Sequence, residues 1–307
     1  FMLGVSTPRE ALHLRRAGFD QPMLLMAPVA DEGLFTQLLE LDVVFTLSSP
    51  ENAQNYLRWS EGKPVRVHVA VDTGMGRFGI PWQNTQALKE LYAQKGFSFE
   101  GIFSHFAKAF EGAYTITKTQ LERFLQVTEA LRAAGCPIGI RHIANSNAAL
   151  RFPQTRLDAV RVGSALTGRL FPKPPIPLRP AARYLAQVVE CKTLQKGDTT
   201  GYAAVCRVQK TTRAAIVAVG SENGYGYVGG PDNYLLRDMV YYFRELFRLS
   251  RKLPGVTYQG KRLPLVGRVG NQYTLFDASG TDIHPGDYVE AQVPTVIPRT
   301  NLVFVEE

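Results

Sequence analysis

Four short segments place reactive side chains where apolar runs end. VDTGMGRFGI sets Arg77 just after the run at 65–71 and surrounds it with Gly74, Gly76 and Gly79. GIFSHF ends a second run at His105, HIANSNAAL carries Asn145 and Ser146, and AVRVGS carries Arg161, Gly163 and Ser164. Singly, each has an ordinary reading: a core histidine, a helix N-cap, a glycine-rich turn. Together, in order and at strand ends, they form a cradle for an anionic, phosphorylated ligand. Two guanidiniums offer charge, while the Ser146 hydroxyl and the backbone amides around Gly163 and Ser164 can donate to phosphate oxygens. His13, His68, His284 and Cys136 lack such convergence and read as structural or surface residues.

Groups scattered this widely along a chain need a scaffold that gathers strand ends. Seven apolar runs provide one, at 1–5, 23–28, 43–47, 65–71, 99–106, 140–145 and 159–163. Between them lie helical patterns such as 7–17, with Pro8 suited to a first turn and Gly18 to a C-terminal cap. Another is 117–134, where Leu121, Phe124, Leu125 and Leu131 fall largely on one face. Strands alternating with helices predict a parallel sheet covered by helices, and catalytic groups of a barrel collect at the C-terminal strand ends. A (β/α)8 barrel lacking its first unit is expected, because the run at 1–5 reads as a buried strand from the first residue. A preceding strand and helix are therefore expected.

The texture changes at FPKPPIPLRP, residues 171–180, which is too proline-rich for a helix or a central strand. Residues 1–175 are read as the barrel domain and 181–307 as a second domain. The latter holds alternating β-branched stretches at 187–194, 211–219, 263–269, 273–276 and 288–293, predicting an antiparallel β-domain. A helical insertion is expected near 232–253.

Among 307 residues, 35 basic against 27 acidic side chains give a net charge of +8, with no block of like charge. That balance favours small anionic ligands over nucleic acid. Three cysteines without CxxC spacing indicate neither a disulfide framework nor a zinc site, so no metal and a reducing, cytoplasmic setting are expected.

VHVAVDTGMGRFG, GIFSHFA, HIANSNAAL and DAVRVGSALTG, in that order, resemble the alanine racemase family, and GDTTGYAAV and GKRLPLVGRVG resemble its second domain. The resemblance implies a pyridoxal 5'-phosphate barrel followed by a β-domain, acting on a small amino acid. It implies a homodimer whose site is completed by the partner's β-domain. By the same resemblance Arg161 lies against the pyridine nitrogen, His105 holds Arg161, and Arg77 lies near the phenolic oxygen. Ser146, Gly163 and Ser164 then bind phosphate, and the glycines of the opening motif let Arg77 approach a flat ring.

Family racemases exchange the substrate's α-proton between two bases, a lysine in a KANAYG-like motif and a tyrosine in a GYADG-like motif. No KANAYG-like motif occurs in these residues, and VGSENGYGY puts Ser221 at the tyrosine position, with Tyr225 or Tyr227 as possible replacements. Asn271 replaces the apolar residue that usually follows VGRV, and VPTVIPRTNLVFV contains no phosphate-binding tyrosine. The expected function is interconversion of L- and D-alanine, or of serine. The alternatives are a degenerate protein that binds pyridoxal phosphate without racemising, and the soluble half of a larger membrane-attached protein.

Overall fold

The computed structural model describes residues 1–109, 114–168, 170, 174–226, 239 and 255–293. The chain divides into two compact units, Phe1–Ala181 and Ala182–Glu307.

In the first unit short strands and helices alternate: β1 (Leu3–Val5), α1 (Pro8–Arg16), β2 (Met23–Leu25), α2 (Glu32–Glu40), β3 (Val43–Leu47), α3 (Pro50–Trp59) and β4 (Val65–Asp72). They continue through β5 (Ile80–Pro81), α4 (Thr85–Tyr92), β6 (Phe97–Phe103), α5 (Tyr114–Ala133), β7 (Ile140–His142) and α6 (Ser146–Arg151). The helices start where a short polar side chain can accept a free N–H. Thr7, Asp31, Ser49 and Asn84 each accept from the residue three positions on, and Pro8 and Pro50 occupy first turns.

All the strands pair in parallel, along the path β1-β2-β3-β4-β6-β7, with β5 against the end of β4. Every residue of β3 is buried, as a parallel strand covered on both faces requires. Beneath the helices Phe35, Phe45, Tyr56 and Trp59 cluster. The Tyr56 ring stacks on Phe35 with centroids 4.7 Å apart, and its hydroxyl accepts the Val29 N–H at 2.7 Å. The two ends of the path meet at one open cavity, lined by Gly4, Leu24 and Met26 on one side and His142, Ala159 and Arg161 on the other. The sheet therefore curls as a (β/α)8-type barrel does.

Two expectations need correction. The strand expected at 159–163 shrinks to one parallel bridge between Ala159 and His142, because the Arg161 amide leaves the ladder to bond the Ala144 carbonyl. Helix α5 buries Leu121, Phe124 and Leu131, but Leu125 faces outward and Gln120, Val127 and Thr128 complete the buried stripe.

The second unit contains β8 (Tyr184–Leu194), β9 (Thr199–Thr200), β10 (Cys206–Arg207), β11 (Thr212–Val217), β12 (Gly255–Tyr258), β13 (Lys261–Pro264), β14 (Thr274–Asp277) and β15 (Tyr288–Ala291). Six of these form an antiparallel sheet in the order β13-β12-β15-β8-β11-β14, and β9 pairs with β10. Leu265, just past β13, bridges Phe276 in β14 and joins the two ends of that path. Joining them removes the open edges that invite aggregation. The strand at 255–258 carries no expectation from sequence, and the helical insertion expected near 232–253 lies outside the described residues, Met239 excepted. Among the described residues no helix is long and apolar enough to cross a membrane.

Candidate active site

At the end of β4 the Asp72 carboxylate accepts the N–H groups of Gly74, Met75 and Gly76 at 2.8 to 3.2 Å. The chain then folds back so that Ile80 pairs with Val71. At the turn, Gly79 has φ +114°, and a Cβ there would lie 2.7 Å from the Asp72 nitrogen. The glycine at 79 is thus required by the loop's own packing, a different reason from close approach to a ligand ring. This loop holds Arg77 at the rim of a small cavity, together with Met26, Asp72, Phe103, Ser104 and His105.

Arg161 occupies the centre of the strand ends. Its Nη1 donates to His142 Nδ1 at 2.7 Å and to the His142 carbonyl at 3.1 Å. Its Nη2 donates to the Ser104 carbonyl at 2.7 Å, to the Ile143 carbonyl at 3.3 Å and to His105 Nδ1 at 3.3 Å. No carboxylate pairs with Arg161 or Arg77 among the described residues. Burial, reinforced by Arg77, pushes the Arg161 pKa down to about 10. The guanidinium still keeps its proton at neutral pH.

Because a guanidinium only donates, both Nδ1 atoms facing it must accept. His142 therefore carries its proton on Nε2, 2.8 Å from His68 Nδ1, and His68 carries its own proton on a buried Nε2 with no partner. All three imidazoles stay neutral. Burial is the main cause, with Arg161 adding repulsion, and His105 and His68 fall to about 4 while His142 falls well below its usual range. The reading of His68 as a structural residue without convergence is corrected: it belongs to this network. His142 carries no expectation from sequence at all.

The register explains how β4 reaches β7. His68 pairs with Gly101, and a Cβ on Gly101 would lie 2.5 Å from the His68 ring and 2.9 Å from the Ile140 carbonyl. Glycine leaves the space through which His68 meets His142. Gly101→Ala is expected to lower unfolding free energy by about 1–3 kcal/mol, the usual cost of overpacking, in a chemical denaturation experiment.

Asn145 caps α6, its Oδ1 accepting the Ala148 N–H at 3.1 Å. The ordinary reading of that residue accounts for its side chain. The buried Ser146 Oγ accepts the N–H groups of Gly163 at 3.0 Å and Ala165 at 3.3 Å, and space in front of Gly163 is open. Two amide donors thus already converge on one oxygen, with the exposed Ser164 between them.

Sequence models of two domains match this chain: alanine racemase, N-terminal domain, over residues 2–170, and alanine racemase, C-terminal domain, over residues 181–296. The chain belongs to the alanine racemase family. It is 33% identical over 305 residues to an alanine racemase of Desulfosudis oleivorans, covering 94% of this chain and 72% of that protein. An alanine racemase of Carboxydothermus hydrogenoformans is 32% identical over 286 residues, covering 91% and 72%. Among solved structures, an alanine racemase of Clostridium difficile superimposes with a TM-score of 0.81 at 25% identity, over 96% of this chain and 74% of that one. One from Bacillus anthracis with bound L-Ala-P gives 0.76 at 27% identity, over 95% and 72%.

The first unit's residues suit the family's pyridoxal phosphate. Arg161 and Arg77, without a carboxylate partner among the described residues, match anionic oxygens and a ring nitrogen, and the amides at Ser146 match a phosphate oxygen. Among the described residues of the second unit, neither Tyr225 nor Ser221 is placed like a base. Tyr225 is buried against Phe276 with ring centroids 5.9 Å apart, and its hydroxyl lacks a hydrogen-bond partner. Burial raises its pKa above the usual phenol value. Ser221 is exposed, and its Oγ lies 3.1 Å from Asn271 Oδ1, so two departures from the family pattern touch each other. Tyr227 lies outside the described residues.

Proposed function

We propose that the chain works as a pyridoxal-phosphate-dependent amino-acid racemase acting on alanine, or serine, in the cytoplasm. The observation that carries this is a pair of guanidiniums at the strand ends, Arg161 held by two neutral histidines and Arg77 on the rim of the neighbouring cavity, with no carboxylate paired to either among the described residues. In this reading Arg161 holds the pyridine nitrogen, Arg77 the phenolic oxygen, and Ser146, Gly163 and Ser164 the phosphate. His105 and His142 fix the guanidinium from behind. When bound, pyridoxal phosphate withdraws electrons from the substrate's α-carbon.

Arg161 donates a hydrogen bond without giving up its proton, which leaves the ring nitrogen unprotonated. That tempers electron withdrawal and favours reversible proton exchange over loss of the carboxylate. Racemisation also needs a base on each face of the α-carbon. Tyr225, buried and held protonated, is not placed to serve. Ser221 faces the Asn271 amide, which takes no proton. A homodimer in which a second copy's β-domain completes the site belongs to the same proposal.

Titration of the purified chain with pyridoxal phosphate, followed by absorbance, tests the cradle. Deuterium wash-in from heavy water into each alanine enantiomer tests the chemistry. In a protein that also carries the family's lysine segment, Ser221→Tyr is expected to raise α-proton exchange by at least about tenfold, within the usual worth of a general base. Tyr225→Phe should leave exchange unchanged, because the hydroxyl it removes is buried and unpaired. The contact between Ser221 and Asn271 favours one second reading, a chain that binds the cofactor and exchanges protons slowly. Fast wash-in from both enantiomers in the protein with the lysine segment and no other substitution would reject that reading.

A further inference from the structure

Helix α5 turns one side-chain amide toward the strand ends, and all its contacts fall on segments that carry the site. Gln120 is 1% exposed. Its Oε1 accepts the Ala107 N–H at 2.9 Å, and its Nε2 donates to the His105 carbonyl at 2.9 Å and to Thr73 Oγ1 at 3.3 Å. Thr73 Oγ1 in turn lies 2.7 Å from Ser104 Oγ, and the Ser104 carbonyl holds Arg161. One turn along the helix, Arg123 donates to the Thr73 carbonyl at 2.9 Å and lies over the Trp82 ring at 5.2 Å. Trp82 itself bonds the Asp72 carbonyl beyond the loop's far end.

We propose that Gln120 is a positioning residue that fixes the Arg77 loop against the His105 strand end, and through Thr73 and Ser104 against Arg161. The proposal rests on the reading of this cavity as a pyridoxal phosphate site. The glycine loop has one internal anchor, the Asp72 carboxylate, and Gln120 and Arg123 supply the external ones. Without Gln120, the loop that carries Arg77 and the segment after β6 that carries His105 keep one direct side-chain tie, the hydroxyl contact between Thr73 and Ser104. A ligand touching both groups then has to order them as it binds.

Gln120→Met keeps length and bulk and removes all three hydrogen bonds, and Thr73→Val removes the bridging hydroxyl at nearly constant shape. In ligand-free protein, hydrogen exchange over residues 73–79 and 104–109 should accelerate in Gln120→Met by at least about tenfold, the worth of one or two hydrogen bonds. Its affinity for pyridoxal phosphate should fall by about as much, as should that of Thr73→Val. The double variant should be little worse than Gln120→Met alone, because both act on one bridge. Gln120→Glu keeps the acceptor for Ala107 but sets a second acceptor oxygen against the His105 carbonyl, so exchange at 104–109 should stay fast.

Unchanged exchange in both segments would overturn the proposal. So would a fall in melting temperature with cofactor affinity held within about twofold, the signature of packing alone. If the unsubstituted chain binds no pyridoxal phosphate, the proposed function fails, and the exchange measurements decide the positioning role by themselves.

Discussion

Arg161→Ala is expected to weaken pyridoxal phosphate binding by at least about a hundredfold, equivalent to about 2.7 kcal/mol, the loss of one or two charge-assisted hydrogen bonds. The same change strands the Ser104, His142 and Ile143 carbonyls and both histidine Nδ1 atoms, which now accept from the guanidinium. Melting temperature should therefore fall as well. Arg161→Lys separates the two effects. An ammonium keeps the charge but cannot span acceptors on two segments in one plane, so stability should recover further than affinity. Equal affinity in all three proteins, measured by absorbance titration, would remove Arg161 from the site.

Stability should fall steeply as pH drops from 6.5 to about 4. His105 and His68 titrate at about 4 in the folded chain, against the usual 6.5 in the unfolded one. Between those values the unfolded state binds protons that the folded state refuses, so acid favours unfolding. Above 6.5 both states are neutral, and the full stability is present. Each gap corresponds to roughly 3 kcal/mol, and His142 adds to it in the same direction. A protein of ordinary stability, about 5–15 kcal/mol, should then melt far below its neutral-pH temperature near pH 4. Calorimetry across this range checks the expectation. His105→Gln should flatten the curve, because glutamine has no proton to gain, and an unaltered acid slope would show that the histidines titrate normally.

The strand and helix alternation was legible because it rests on local physics. Thr7 and Pro8 start α1 through one side-chain acceptor and one fixed torsion, and β3 declares itself by a short unbroken apolar run. Arg161 and His105 were legible as neighbours at one mouth because barrel strand ends converge whatever the detailed register, and their pairing followed from the family resemblance. The outward turn of Leu125 was not, since a helix of 20 residues offers several apolar stripes and only packing selects one.

His142, His68 and Gly101 lay inside the quoted motifs, but no role attached to them there. Their relation exists only through the parallel register, which sets His68 beside Gly101 and Phe103 beside His142. Proton positions along Arg161, His142 and His68 follow from those contacts and from nothing adjacent in sequence. Tyr225 misled in the opposite direction, because its spacing from Ser221 suited a replacement base while the β-domain core needed its ring. Local sequence settles propensity, caps and the order of chemical groups, since these depend on neighbours along the chain. Which histidine touches which, which tyrosine is buried and which glutamine ties two loops together depend on residues dozens of positions apart, and packing alone brings those into contact.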